Sequence, residues 1–310
     1  MEEYRFERLT ANTLHHLQYL YLHCFKTHVS IEYLTQKYAT QNFGKDYVGY
    51  LAFHNATNEA AAYYGVFPLV CEYNGEKLLA AQSGDTMTHP SHQGKRLFIT
   101  LAKKTYELAK EEGLHFVFGM PNKNSYHGFV TKLSWIHYET MINYKIRVMT
   151  LPLSELAKRV KIFKLFYGIY QKMILFLYVS NKIVPNSLIE PNIGGVVHDA
   201  DFYQYKKYTD NMCITVAGVT LWVKNEGFFC VGDMEKFDLK QADEFWKKLR
   251  RLAFWLGCTK IFFSTTKGSF VEKVCSRYPS SEGLPIGVIN LSGKYPVEQF
   301  KYSLADLDTF

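Results

Sequence analysis

The stretch Gly84-Asp-Thr-Met-Thr-His-Pro-Ser-His-Gln-Gly-Lys-Arg-Leu-Phe98 sets a basic, glycine-containing turn between an extended segment and a helical one. Downstream, Leu97-Phe98, Leu101-Ala102, Tyr106 and Leu108-Ala109 recur at helical spacing, and Gly113 stops the run. An apolar strand follows, Phe116-Val-Phe-Gly119, then the turn Met120-Pro-Asn-Lys-Asn-Ser125. A second helical run over Ser125 to Leu133, with Asn124 or Ser125 as its cap, closes on Lys132-Leu-Ser-Trp135. A strand that stops at a basic loop and feeds a helix offers backbone N–H groups to a phosphate, and the helix dipole adds to that preference. Gln93, Gly94, Lys95 and Arg96 would supply the loop.

Upstream, Thr10 to Tyr38 reads as helical, from Leu14, Leu17, Leu20-Tyr21 and Cys24-Phe25. Strands are expected at Tyr47 to Phe53, Ala60 to Val70 and Leu78 to Gln82, the last two joined by a hairpin at Asn74-Gly75. Tyr138 to Met149 reads as strand. Further on, strands are expected at Cys213 to Val223, Gly227 to Val231, Ile261 to Ser264, Gly287 to Leu291 and Phe300 to Ser303, with helices at Leu239 to Leu256 and Ser269 to Ser276. Both halves thus run strands, helix with terminal glycine, apolar strand, turn, short helix, strands. That order suggests a duplication. Between the halves, 154–180 is a basic and very apolar helix or helix pair. Lys164 and Lys172 interrupt any membrane span there. Three readings stay open for it: packing between two domains, lying on a membrane surface, or a homodimer contact.

The chain has 310 residues, 47% hydrophobic and 21% charged, which calls for a packed core in about two domains. A net charge of +7 suits an anionic ligand without naming one. Six cysteines show neither a paired nor a zinc-binding spacing, so free thiols and a cytoplasmic location are expected. No apolar leader follows Met1.

Thr88-His-Pro-Ser-His-Gln-Gly-Lys-Arg-Leu-Phe98 resembles the acyl-coenzyme-A-binding motif of the GNAT N-acetyltransferases, Gln/Arg-x-x-Gly-x-Gly/Ala after a strand. The downstream helix, apolar strand, Pro121-Asn122 and Lys132-Leu-Ser-Trp135 extend the resemblance over 60–144. It implies acetyl-coenzyme A as cofactor. The Gln93 to Phe98 amides, including those of Gly94, Lys95, Arg96 and Leu97, would hold its pyrophosphate. Asp85 to Thr88, Met87 among them, would meet the pantetheine and the acetyl carbonyl, with Asn122 and Ser125 nearby where the central strands splay. Two departures stand out. Arg96 and Phe98 occupy the family's glycine and Gly/Ala positions, and Val130 falls where the tyrosine acid is expected. Tyr126 would substitute as the acid, and Asp85 is the first candidate base, ahead of Glu139 and His89. His92 and His127 read as surface or loop residues.

The expected fold is therefore α/β (α+β): tandem GNAT-like mixed, mostly antiparallel sheets flanked by helices. The expected division is 1–150 for the cofactor domain, 151–190 for a helical linker, and 191–310 for a second GNAT-like domain. At the equivalent of the cofactor loop that second domain carries acidic Gly232 to Asp238. The resemblance implies acetyl transfer to a small-molecule primary amine, with an amino sugar or nucleotide-linked amino sugar favoured by the aromatic content and no nucleic-acid partner. Two alternatives remain: a Fem-type aminoacyl transferase and a non-catalytic acyl-coenzyme-A-binding protein.

Overall fold

The computed structural model describes residues 3–310, which cluster into two compact units, 3–139 with Pro285–Gln299, and Thr140–Leu284 with Phe300–Phe310. In the first, β1 (Tyr4–Arg8), β2 (Gly49–His54), β3 (Ala60–Tyr73) and β4 (Glu76–Thr88) are antiparallel neighbours in that order. β5 (Phe116–Gly119) runs parallel to β4, and residues 287–290 pair antiparallel with β5. The Asn74-Gly75 turn has positive φ at both residues, 49° and 80°, as the tightest hairpin turn between twisted strands requires.

Alternation along the strands sorts the core of this unit into two layers. Leu51, Phe53, Tyr63 and Phe67 face α1 (Leu14–Phe25) and α2 (Ile31–Tyr38), where Leu14, Leu17, Leu20 and Leu34 are buried. Ala52, Ala62, Tyr64 and Val66 face α3 (Leu97–Glu111), where Leu97, Leu101 and Tyr106 are buried. The single helix expected over Thr10 to Tyr38 is two. Lys26 at φ 55° ends α1, and Ser30 starts α2 by accepting from the Tyr33 N–H at 3.1 Å.

Trp135 follows α4 (Lys123–Lys132) and locks the end of this unit. Its indole N–H donates to Tyr106 Oη at 2.8 Å, which is hydrogen-bonded to Tyr64 and through it to Ser83. Gly119 and Gly287 oppose each other across β5 and 287–290, and both leave room for the indole. A Cβ on Gly287 would stand 2.8 Å from Trp135 Cε3.

The second unit repeats the order. It takes in β6 (Ile136–Arg147) from Thr140 onward, then α5 (Leu153–Arg159), α6 (Lys161–Phe176), the short β7 (Gly195–Val196) and α7 (Ala200–Tyr205). β8 (Asn211–Val216), β9 (Val219–Asn225) and β10 (Phe229–Met234) form an antiparallel meander. α8 (Ala242–Trp255) then leads to β11 (Lys260–Thr265), parallel to β10, and residues 142–147 of β6 pair antiparallel with β11. α9 (Phe270–Cys275) and β12 (Ser280–Asn290) follow. Each unit is thus a meander, a helix, a strand parallel to the meander's last, and an antiparallel closing strand. All six cysteines are free.

Several expectations need correction. The units divide at Glu139 rather than at 150, because residues 142–147 close the sheet beside β11. Residues 287–290 belong to the first unit, because they pair with β5. The expected linker 151–190 lies within the second unit. Ser154 there donates to the Gly227 and Gly257 carbonyls, and Tyr167 to the Leu256 carbonyl. The single strand expected at Cys213 to Val223 is a hairpin turning at Ala217-Gly218, φ 53° and 79°. Phe300 to Ser303 makes isolated bridges rather than a strand, since the Ser303 N–H turns to Asp306 Oδ2 at 2.6 Å. Phe310, the last residue, buries its ring against Trp222.

A buried polar knot lies in the second unit. His198 Nε2 is 2.8 Å from Asp306 Oδ1, and Nδ1 is at ion-pair distance from Asp233, whose Oδ1 accepts from the Ser187 hydroxyl. Burial alone would push the imidazole's pKa down. The Asp306 and Asp233 carboxylates outweigh it and raise the value to about 9.

Two measurements check this packing. Gly287→Ala is expected to lower unfolding stability by about 1–3 kcal/mol in urea titration, because the indole cannot yield without straining its neighbours. Because the folded pKa of His198 is raised, its stabilisation is full below about 6.5 and is lost as pH rises through about 9. Urea midpoints followed by Trp222 fluorescence are expected to fall over that window, and the fall is expected to be absent in His198→Asn.

Candidate functional site

The site grows from where β4 loses its neighbour. β4 and β5 share only the parallel pairs Ala81–Val117 and Gln82–Phe118 among the described residues. Beyond Gln82 the strand runs on to Thr88 with its β3 side paired and its β5 side open. Gly65 opposes Gly84, and Tyr63 opposes Met87, so Tyr64 stands against both Asp85 and Thr86. That is a β-bulge, and Asp85 takes the left-handed conformation at φ 53°. A bulge re-aims backbone groups, and here it does so on the open edge.

The Asp85 side chain points to the α1–α2 layer. Its Oδ1 is 2.7 Å from Lys37 Nζ, and Tyr38 Oη donates to Oδ2 at 3.1 Å. Lys37 also reaches Tyr21 Oη at 3.4 Å. The side chains of Lys37 and Asp85 are 2% and 8% exposed, so this is a buried ion pair. The general-base role expected for Asp85 does not fit this arrangement. Both carboxylate oxygens are engaged, and taking a proton would leave Lys37 charged and unpaired in the core.

After Thr88 the chain turns through Pro90–His92 and enters α3. Gly94 has φ 78° and Arg96 φ 59°. The family position that carries glycine therefore keeps its left-handed backbone although the residue is arginine, at a cost of about 1–2 kcal/mol. In the first turn of α3 the Ile99 and Thr100 N–H groups bond the Arg96 carbonyl. Among the described residues, the N–H groups of Lys95, Arg96, Leu97 and Phe98 have no acceptor in the chain. No acidic residue lies in that turn. Lys95 pairs with Glu3 at 3.0 Å. Burial first, then neighbouring histidines, hold His89 and His92 below the ordinary imidazole pKa. The fixed positive charge of the loop therefore comes from Lys95 and Arg96 at neutral pH.

The other expected residues separate by role. Met87 and Leu97 are buried core. Phe98 packs edge-on against Phe129, with Gly128 3.0 Å from its ring for an added Cβ, so its side chain serves helix packing and only its N–H faces the loop. Thr88 ends β4, opposite Ala62. The loop pairs none of Gln93, Gly94 or Arg96 with a carboxylate among the described residues. Asn122 starts α4, where its Oδ1 accepts from the Ser125 N–H at 3.1 Å and its carbonyl from the Tyr126 N–H at 2.9 Å. Tyr126 Oη is 2.7 Å from His137 Nδ1, a partner that the linear sequence did not suggest. Lys37 was likewise missed, since it lies 48 residues from Asp85 on a helix without a motif.

Residues 6–135 match the family model described as an acetyltransferase (GNAT) domain. No curated relative matches by sequence. Among solved structures, a GCN5-related N-acetyltransferase from Kribbella flavida superposes with TM-score 0.57 at 10% identity, over 93% of this chain and 72% of that one. A GCN5-related N-acetyltransferase from Anabaena variabilis gives 0.56 at 10% identity, over 93% and 73%. Saccharomyces cerevisiae N-myristoyltransferase, solved with bound myristoyl-CoA, gives 0.56 at 9% identity, over 94% and 83%. At such identities the likeness is one of fold.

Asp85→Asn separates the two readings of that carboxylate. It is expected to cost about 3–5 kcal/mol of unfolding stability by leaving Lys37 uncompensated. Lys37→Met with Asp85→Leu is expected to recover much of the loss in the same urea titration. A variant that stays fully stable while losing turnover would instead restore the general-base role.

Proposed function

We propose that this chain is an acyltransferase that moves an acetyl group from acetyl-coenzyme A to a small-molecule primary amine, a reading that the match of residues 6–135 to an acetyltransferase (GNAT) domain supports. The observation that carries this reading is the left-handed loop Gly94 to Arg96 ahead of α3, with four consecutive N–H groups left to an outside acceptor. A pyrophosphate satisfies them, and the α3 dipole and the Arg96 guanidinium reinforce its charge. The pantetheine amides would pair with the β4 edge that is open beyond Gln82, and Asn122 and Ser125 would meet the same arm.

Catalysis needs two further things from these residues. A backbone N–H at the Asp85 bulge polarises the thioester carbonyl. Tyr126 gives its proton to the departing thiolate, and His137 orients the phenol. The neutral amine nitrogen attacks the carbonyl carbon directly and the C–S bond breaks; coenzyme A leaves as the thiol with the Tyr126 proton, and the proton shed by the nitrogen passes through water to restore the phenol. Asp85 acts here through the backbone, because its ion pair with Lys37 holds the bulge. The acceptor class favoured is an amino sugar or nucleotide-linked amino sugar, on the aromatic richness of the chain. A cytoplasmic site of action accords with the free thiols. The second unit has the same strand order, with acidic Asp233 near the end of β10 and Glu235 just past it. We take it as a GNAT-like half without a cofactor site, which shapes acceptor choice.

Acetyl transfer is read as thiol release across a panel of amines, amino sugars first. Tyr126→Phe is expected to lower kcat by about 10²–10⁴-fold and leave cofactor affinity within about twofold. His137→Ala is expected to lower kcat by less than Tyr126→Phe does. A folded protein that binds acetyl-coenzyme A and transfers to no amine would favour a non-catalytic binding role. Salt-dependent retention of aminoacyl-tRNA without coenzyme A binding would favour the Fem-type reading.

A further inference from the structure

The helix α6 (Lys161–Phe176) carries apolar side chains on the face that a water-soluble helix ordinarily gives to charge. Ile162, Leu165, Phe166, Ile169, Met173 and Phe176 are all more than half exposed, from 56% to 77%. At about 100° per residue they fall within roughly 100° of the helix circumference. Tyr167 and Leu175, on the opposite side, are buried. Tyr167 Oη donates to the Leu256 carbonyl and accepts from Asn225 Nδ2, and Tyr170 Oη donates to the Trp255 carbonyl. The helix is therefore fastened by its inner face, and the apolar stripe is held outward.

The charge on α6 is one-sided. Its sixteen residues include Lys161, Lys164 and Lys172 and no Asp or Glu. On the wheel Lys161 and Lys172 lie along one edge of the stripe, and Lys164 lies further round on the same side. Among the described residues none of them forms an ion pair, and Lys158 and Arg159 precede them at the end of α5. No helix among the described residues is long and apolar enough to cross a membrane. Neither the cavity at Asn143, Arg147 and Arg250 nor the one at Lys224 and Phe262 is lined by an α6 residue.

We propose that α6 lies on an anionic lipid surface, with its stripe among the acyl chains and its lysines at the headgroups. The helix is about 24 Å long and would sit about 5–10 Å deep, parallel to the surface. Charge complementarity selects this occupant. A second copy of the chain would bring the same lysines and no acid from this helix to meet them. A ridge without a pocket offers a protein partner no place to seat an anchoring side chain, whereas a fluid leaflet closes around it. Lysine stems extend along the stripe while their ammonium groups reach the phosphates. The inference stands on α6 alone and is independent of the acetyl-transfer reading.

The test is flotation of the full chain with phosphatidylcholine vesicles, with and without about 30 mol% phosphatidylglycerol. The protein is expected to float with the anionic vesicles at low salt, to be released as salt rises, and to stay behind with neutral ones. Ile169→Glu with Met173→Glu is expected to abolish flotation without changing the thermal unfolding midpoint, since both side chains are exposed. Exchange of Lys161, Lys164 and Lys172 for Gln is expected to weaken partition on the order of a hundredfold, from about fivefold per lysine. Absence of flotation on anionic vesicles, or flotation unchanged in both variants, overturns the proposal. So does a dimer in light scattering that dissociates on the Ile169→Glu, Met173→Glu exchange, because a second copy would then cover the stripe.

Discussion

Among the described residues, two parallel rungs, Ala81–Val117 and Gln82–Phe118, join β4 to β5, and the proposed cofactor site begins where they stop. A strand paired on one side only leaves backbone donors and acceptors that need partners. Here the open edge continues for six residues, carries a bulge at Asp85, and leads into a helix whose first N–H groups are also unmet. Edge, bulge and helix start are one continuous row of backbone polarity, suited to a ligand with amides at one end and phosphates at the other.

The fold bears costs to hold that row in shape. Asp85 and Arg96 both sit in the left-handed region, and each is restrained from its own side. Asp85 is tied down by Lys37 and Tyr38, which brings α2 onto the bulge. Arg96 is fixed between the turn at Pro90–His92 and the buried Leu97 that begins the α3 core layer. Strain of this sort persists only where surrounding packing over-determines it. The chain Ser83–Tyr64–Tyr106–Trp135 supplies such packing beneath the opening, since it ties β3, β4 and α3 to the segment after α4.

Much of the first unit was legible in the linear sequence because its signals are local. Asn74-Gly75 declares a tight turn, Gly113 a helix end, and Gln93 to Phe98 a loop that resembles a known one. The resemblance read over 60–144 names the family whose model matches residues 6–135, and it implies the fold class that the structure has. What escaped was non-local. The destination of 287–290 beside β5 depends on a pairing partner about 170 residues away, and strand periodicity carries no address. Lys37 has no motif around it, so strand position alone does not show its ion pair with Asp85, which counts against a base role there. Ala217-Gly218 hid a turn because alanine seldom takes positive φ. For α6, composition left three readings open, and exposure of the apolar stripe is what narrows them.

Calorimetric titration of the protein with acetyl-coenzyme A, alongside 3′-dephospho-coenzyme A and pantetheine, bears most directly on the central claim that the α3 N-terminus and the open β4 edge form one cofactor site. One-to-one binding is expected for both coenzyme A forms, with pantetheine weaker by at least about a hundredfold, as loss of a pyrophosphate held by several charge-assisted hydrogen bonds implies. No heat of binding at millimolar acetyl-coenzyme A from folded protein, or equal affinity for pantetheine, would contradict it.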